Sequence, residues 1–175
     1  MDGHLSQQAS HAILTDGTVI VIRPLAPADS DRVMALHQTL TEEERYLRFF
    51  TVHPADLQKW ARSLTELSPD QYAVGAFDSE GLLGVANYVK STRQQGYAEV
   101  AVVVAHGEHF RGVGTALLLQ LGRAAKRNGI DHLVAEVLAE NYSMLHVITD
   151  AGWPCSRHLE GTVIHIEIDL DRANV

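Results

Sequence analysis

Val102-Val103-Val104-Ala105-His106-Gly107-Glu108-His109-Phe110-Arg111-Gly112-Val113-Gly114-Thr115-Ala116-Leu117-Leu118 is a β-branched run, a short polar loop and the opening of an apolar-faced helix. A buried strand that feeds a helix through two glycines, Gly112 and Gly114, forms a strand-to-helix corner. At a helix N-terminus the first amide N–H groups have no internal partner, and the positive end of the helix dipole points outward. Glycine lets an anion approach that backbone closely, so the corner suits a pyrophosphate. A tight turn with no ligand is the plainer alternative. A dinucleotide-binding fingerprint is disfavoured, although Glu136 lies a suggestive distance downstream: Leu117 holds the third glycine position and the motif follows the fourth strand, not the first. No Gly-Lys-Ser/Thr follows, which excludes a Walker loop.

Working outward, Tyr97–Ala105 is apolar on both faces and is expected to be a central strand. The helix over Gly112–Arg127 turns Leu117, Leu118, Leu121 and Ala124 inward. His132–Leu138 reads as another buried strand. Asn141 caps a helix that ends at Gly152, Cys155–Leu159 forms a short strand, and Thr162–Asp169 alternates as a half-buried one. Upstream, Tyr72–Phe77 and Leu82–Val89 are strands joined by the turn Asp78-Ser79-Glu80-Gly81. The front third begins with a strand at Thr18–Arg23 after an Asp16-Gly17 turn. A helix capped by Asp29 or Ser30 follows, with Val33, Leu36 and Leu40 on one face. A second helix starts at Thr41-Glu42-Glu43-Glu44 and runs into Tyr46–Phe50. A third opens after Pro54 with Leu57, Trp60, Ala61 and Leu64 inward. The order β-α-α-α-β-β-β-α-β-α-β-β predicts a mixed α/β fold. Its sheet is largely antiparallel, with one parallel βαβ crossover in the second half.

Composition narrows the function. A chain of 175 residues with 46% hydrophobic and 21% charged residues is sized for one globular domain. We expect a flexible tail over residues 1–12 and one domain over 13–175. No apolar run reaches the roughly 18 residues of a membrane span, and the N-terminus lacks the pattern of a secretory signal. One cysteine, Cys155, permits no intrachain disulfide, which fits a cytoplasmic protein. The net charge of −8 argues against nucleic acid as a partner. The histidines, His109, His132, His146 and His165 among them, show no metal-ligand spacing, so no metal is expected.

The corner resembles the signature Gln/Arg-x-x-Gly-x-Gly/Ala of the GNAT N-acetyltransferases, with His109 at the Gln/Arg position and Gly112 and Gly114 as the glycines. A second register uses Arg111, Gly114 and Ala116; the first keeps both glycines and the strand-to-loop spacing. Glu140-Asn141-Tyr142-Ser143-Met144-Leu145 through Gly152-Trp153 is similar to the family's second cofactor motif. Leu133–Leu138 matches the strand that splays from Val100–Val104 to admit the pantetheine arm. The resemblance implies a GNAT-like fold and acetyl-CoA, or another short acyl-CoA, as cosubstrate. It places cofactor contacts at Val102, Val103, Val104, His109, Phe110, Arg111, Gly112, Val113, Gly114, Thr115 and Asn141.

Amine acyl transfer needs a base, because a lysine amine titrates near ~10.4. Glu99 is the only acid within the apolar run of the central strand. Val100 and Ala101 beside it suggest partial burial, and the resemblance to protein lysine acetyltransferases also implies a glutamate base on this strand. Backbone N–H groups near Val102–Val104 would polarise the acyl carbonyl. The family's tyrosine acid falls on Ile148, leaving Tyr142, Ser143 or solvent to protonate the thiolate. An acyl-Cys155 route lacks a neighbouring base.

Thr41-Glu42-Glu43-Glu44-Arg45-Tyr46-Leu47-Arg48-Phe49-Phe50 resembles the Ser-x-x-Ser-x-Tyr-x-Arg-Phe-Phe stretch of bacterial protein lysine acetyltransferases that act on acyl-CoA synthetases. The resemblance implies a protein lysine as acceptor and an acyl-CoA synthetase as partner. Those enzymes often carry a fused regulatory domain, which is not expected in a chain of this length. Aromatic packing is the plainer role for Tyr46, Phe49 and Phe50. Two alternatives remain open: an acetyltransferase of small amines, such as a polyamine, amino acid or aminoglycoside, and an acyl-CoA-binding sensor or interaction module without turnover.

Overall fold

The computed structural model describes residues 9–49, 57–109 and 111–175. In chain order they form β1 (Ser10–Ile13), β2 (Val19–Pro24), a 3-10 turn (Pro27–Asp29), α1 (Ser30–Gln38), α2 (Glu42–Phe49) and α3 (Leu57–Thr65). Then come β3 (Gln71–Asp78), β4 (Gly81–Lys90), β5 (Tyr97–Val104), α4 (Val113–Arg127), β6 (His132–Leu138), α5 (Tyr142–Ala151), β7 (Cys155–Glu160) and β8 (Val163–Asp169). The strands make one sheet in the order β1-β2-β3-β4-β5-β6-β8-β7. Every neighbouring pair is antiparallel except β5 with β6, the expected crossover through α4.

Each expected strand and helix is present, with ends displaced by a residue or two; where the third helix begins after Pro54 lies outside the described residues. The tail expected over 1–12 is too long. Ser10, His11 and Ala12 pair with Ile22, Val21 and Ile20, adding an edge strand that carries too little apolar alternation to be read from sequence.

Two apolar layers sandwich the sheet. On one side Leu117, Leu118 and Leu121 of α4, all fully buried, pack with Ile166 and Ile168 of β8 and Met144 and Ile148 of α5. Burying such side chains contributes about 1.5–3 kcal/mol each. On the other side Val33, Leu36, Ala61 and Leu64 of α1 and α3 cover Val85 and Val103. β5 thus meets both layers, as a central strand must. The buried strand expected at His132–Leu138 is buried along one face, where Leu133, Ala135 and Val137 join the α4 cluster; on the other face Leu138 alone is buried and Glu136 is exposed.

Asp29 stands at the N-cap of α1 but makes no side-chain cap there. Its buried carboxylate instead accepts from both Arg23 nitrogens at 2.8 Å, from the Ala26 N–H at 2.9 Å and from Arg32 at 3.1 Å. The Arg23 bonds, opposed by burial, lower its pKa to about 2. Arg23 also lies over the Phe77 ring, 4.0 Å from its centroid, so one ionic knot ties β2 to α1 and β3.

Candidate active site

Parallel pairing between β5 and β6 joins Tyr97 to His132, Ala98 to Leu133 and Glu99 to Val134, and stops there. Both strands continue, β5 to Val104 and β6 to Leu138, so their far halves diverge. On its other side β5 stays paired with β4 through Val104. The amides and carbonyls that β5 and β6 would exchange therefore border a gap. That gap opens into a cavity of about 700 Å³, lined by Val100–Val104 on one side and Ala135–Val137 on the other.

The N-terminus of α4 meets the same cavity. Gly112 is its N-cap at φ +94°, a left-handed conformation that favours glycine. The first intrahelical bond runs from Ala116 N–H to the Gly112 carbonyl, and among the described residues no side chain caps this end. Val113, Gly114 and Thr115 consequently present amide donors without a helical partner, and Gly112, Gly114 and Thr115 line the cavity. Gly114 has a further reason to be glycine: a Cβ there would lie 2.7 Å from Val147 Cγ2. Its bareness lets α4 close on α5.

Asn141 accepts the Met144 N–H at 3.1 Å, capping α5 as expected, and also lines the cavity. His109 sits between elements: its Nδ1 is 3.2 Å from Ser143 Oγ, and its Nε2 is 3.6 Å from Glu44. Glu44 was legible only as a helix-start residue. Its carboxylate accepts the Thr41 N–H at 2.8 Å while Thr41 Oγ1 accepts the Glu44 N–H at 3.2 Å, a reciprocal capping box. The same carboxylate is 2.9 Å from His106 Nδ1. Burial works against its ionisation, but the bonds with His106 and Thr41 prevail and its pKa is lowered. One side chain thereby links α2 to the β5–α4 loop.

Several expected contacts fall elsewhere. The Arg111 guanidinium is engaged by Asp16 at 2.8 Å, by Glu108 and by Thr18 Oγ1 at 3.3 Å, and does not line the cavity. The Arg111 carbonyl accepts the Thr15 N–H at 3.0 Å. Arg111 thus fastens the corner to the β1–β2 turn, and bonds from Thr18 and Arg111 hold the Asp16 pKa down to about 2. The Val113 side chain is fully buried in the core, leaving only its backbone to meet a ligand. Phe110 lies outside the described residues. Glu99 lines the cavity, but the partial burial inferred from Val100 and Ala101 is absent, and the residue is exposed. Ile148 is buried in the core, whereas Tyr142 and Ser143 line the cavity. Cys155 is exposed at the start of β7, away from the cavity lining. Tyr46 is 39% exposed, which does not fit core packing; Phe50 lies outside the described residues.

A cavity bordered by unbonded strand edges, with an uncapped helix N-terminus at one wall, fits a long ligand bearing amides and a diphosphate. That is the arrangement of an acyl-CoA-dependent transferase. A family model for the GNAT acetyltransferase domain matches residues 20–153, and the chain belongs to this family, whose members use acetyl-CoA as acyl donor. The structure is similar to the GNAT domain of S. lividans PAT, with 28% identity and a TM-score of 0.83 over 92% of this chain and 96% of that one. A cAMP-binding acyltransferase from Mycobacterium smegmatis matches at 20% identity and TM-score 0.64, over 93% of this chain and 47% of that one. The yncA protein of Salmonella typhimurium, solved with its cofactor acetyl-CoA, matches at 16% identity and TM-score 0.67 over 89% and 96%. Among the described residues no helix is long and apolar enough to cross a membrane.

Proposed function

We propose that this enzyme moves an acetyl group from acetyl-CoA directly to a protein lysine, with Glu99 as general base. The observation that carries the proposal is the place of Glu99. It is the last β5 residue paired with β6, so its carboxylate stands at the root of the gap that would receive the pantetheine arm. Acetyl-CoA supplies an activated thioester. Glu99 accepts the amine proton as the nitrogen attacks, and exposure gives that proton a route to water. The α4 amides hold the diphosphate, and N–H groups along Val102–Val104 face the developing oxyanion. The thiolate takes its proton from Ser143, Tyr142 or solvent. The motif around Tyr46 and the likeness to S. lividans PAT support a protein acceptor such as an acyl-CoA synthetase. The single cysteine agrees with a cytoplasmic setting.

Thiol release from acetyl-CoA, measured against a lysine peptide, a purified acyl-CoA synthetase and a panel of polyamines, amino acids and aminoglycosides, tests the reading. Glu99→Gln is expected to lower kcat by about 100-fold while calorimetry finds acetyl-CoA binding intact. Undiminished turnover would remove Glu99 from the base role, and preference for a small amine would replace the lysine. The exposure of Glu99 favours one second reading, an acyl-CoA sensor; binding with equally negligible transfer by wild type and variant would establish it.

A further inference from the structure

We propose that the polar face of the sheet beyond Glu99 is a docking platform for a basic polypeptide segment flanking the acceptor lysine; the inference rests on the reading of a protein lysine as acceptor. Side chains two apart on a strand share a face, and so do directly paired residues. Val103 packs under α1 and α3, so Glu99 and Tyr97 lie on that same side. Pairing carries this face to Val134 and Glu136 of β6, to His165 and Glu167 of β8, and to His158 and Glu160 of β7. The helices α1 and α3 cover the face at β3 and β4, while all six residues of β7 are exposed. The opposite face of β6 and β8 is apolar and buried under α4 and α5. Apart from Leu138, which is buried at its far end, and the half-buried Val134 and Val163, this face is polar.

Its permanent charge has one sign. Glu136, Glu160 and Glu167 project from it with side chains between 43% and 75% exposed, and no lysine or arginine occupies this side of β5, β6, β7 or β8. The carboxylates are also positioned. His165 bridges three strands, with Nδ1 3.3 Å from Glu136 and Nε2 3.3 Å from Glu160. Glu167 accepts the Tyr97 hydroxyl at 3.1 Å and lies 3.2 Å from His132 Nδ1. Glu99 and Glu136 belong to the platform and to the cavity lining alike, so the surface is continuous with the reaction centre. A lysine presented to Glu99 from a chain rich in Lys and Arg would have its flanking cations laid over Glu136, Glu160 and Glu167. Such complementarity acts mainly on encounter and on partner choice.

The test pairs two lysine peptides, one with Lys/Arg flanks and one with Gln/Ser flanks, read by fluorescence anisotropy on the CoA-loaded protein and by thiol release with acetyl-CoA. Wild type is expected to bind and acetylate the basic peptide at least about fivefold better, through KM and not kcat, with the preference fading in high salt. Glu160→Gln/Glu167→Gln, whose positions lie outside the cavity lining, is expected to abolish that preference with acetyl-CoA affinity and kcat unchanged. Equal binding of both peptides by wild type, or a preference that survives the double variant, would overturn the platform. The acceptor reading fails separately: lysine peptides acetylated regardless of flank leave it standing, and basic peptides bound but never acetylated refute it while the platform remains.

Discussion

Gly112 and Gly114, two residues apart, lack side chains for different physical reasons. At Gly112 the nearest atom to an added Cβ would be Thr15 Cγ2 at 3.9 Å, so space is ample and the left-handed φ is the constraint. Gly112→Ala is expected to cost about 1–2 kcal/mol of stability, and Gly112→Val to weaken acetyl-CoA binding by displacing the α4 amides. Unchanged affinity in calorimetry would take the loop out of the cradle. At Gly114 the constraint is contact. Gly114→Ala should destabilise the protein by roughly 1–3 kcal/mol in urea unfolding. Val147→Ala, made in the same chain, should return much of that loss, because Val147 Cγ2 is the atom in the way. A double-mutant cycle showing no coupling would refute the account.

At the scale of elements, ion pairs between distant segments hold the frame that the site needs. The Asp29 knot gives a pH signature. Its folded pKa lies near 2, below the ordinary 3.8, so its contribution is complete above the ordinary value and disappears as pH falls through the folded one. The corresponding loss is about 2 kcal/mol between roughly pH 4 and pH 2. Asp29→Asn is expected to lower stability at neutral pH by a similar amount and to flatten that limb of the pH–stability curve. Thr41→Ala, which opens the capping box at α2, should cost about 1 kcal/mol.

The same ion pairs mark where sequence reading runs out. Hydrophobic periods and turn residues make α4, β5, β8 and the Asn141 cap legible, because each depends on neighbours within a few positions. Glu44 meets His106 across 62 positions and Arg111 meets Asp16 across 95, and no local pattern encodes either. Glu99 shows the limit most clearly. Its neighbours Val100 and Ala101 imply burial, but exposure on a strand is decided by what covers the face, and α1 and α3 stop short of it. β1 is lost to brevity, four residues whose role is set by pairing with β2.

Over the whole molecule, the sheet is interrupted where the family's acyl donor is used. A ligand that fills the gap binds only the folded state, so saturating acetyl-CoA at about 100 times its Kd should add roughly 2.7 kcal/mol to stability. A rise in Tm that tracks ligand concentration would be the readout, and an unmoved Tm would contradict it. The short β5–β6 contact has one more consequence. Five antiparallel strands on one side and three on the other are stitched by three residue pairs, a narrow seam in an otherwise continuous fabric. Every second peptide group of Val100–Val104 lies along the torn edge beyond that seam. Deuterium should enter those positions quickly in the empty protein and slowly once pantetheine has mended the tear, while the intervening amides, bonded to β4, exchange at one pace in both.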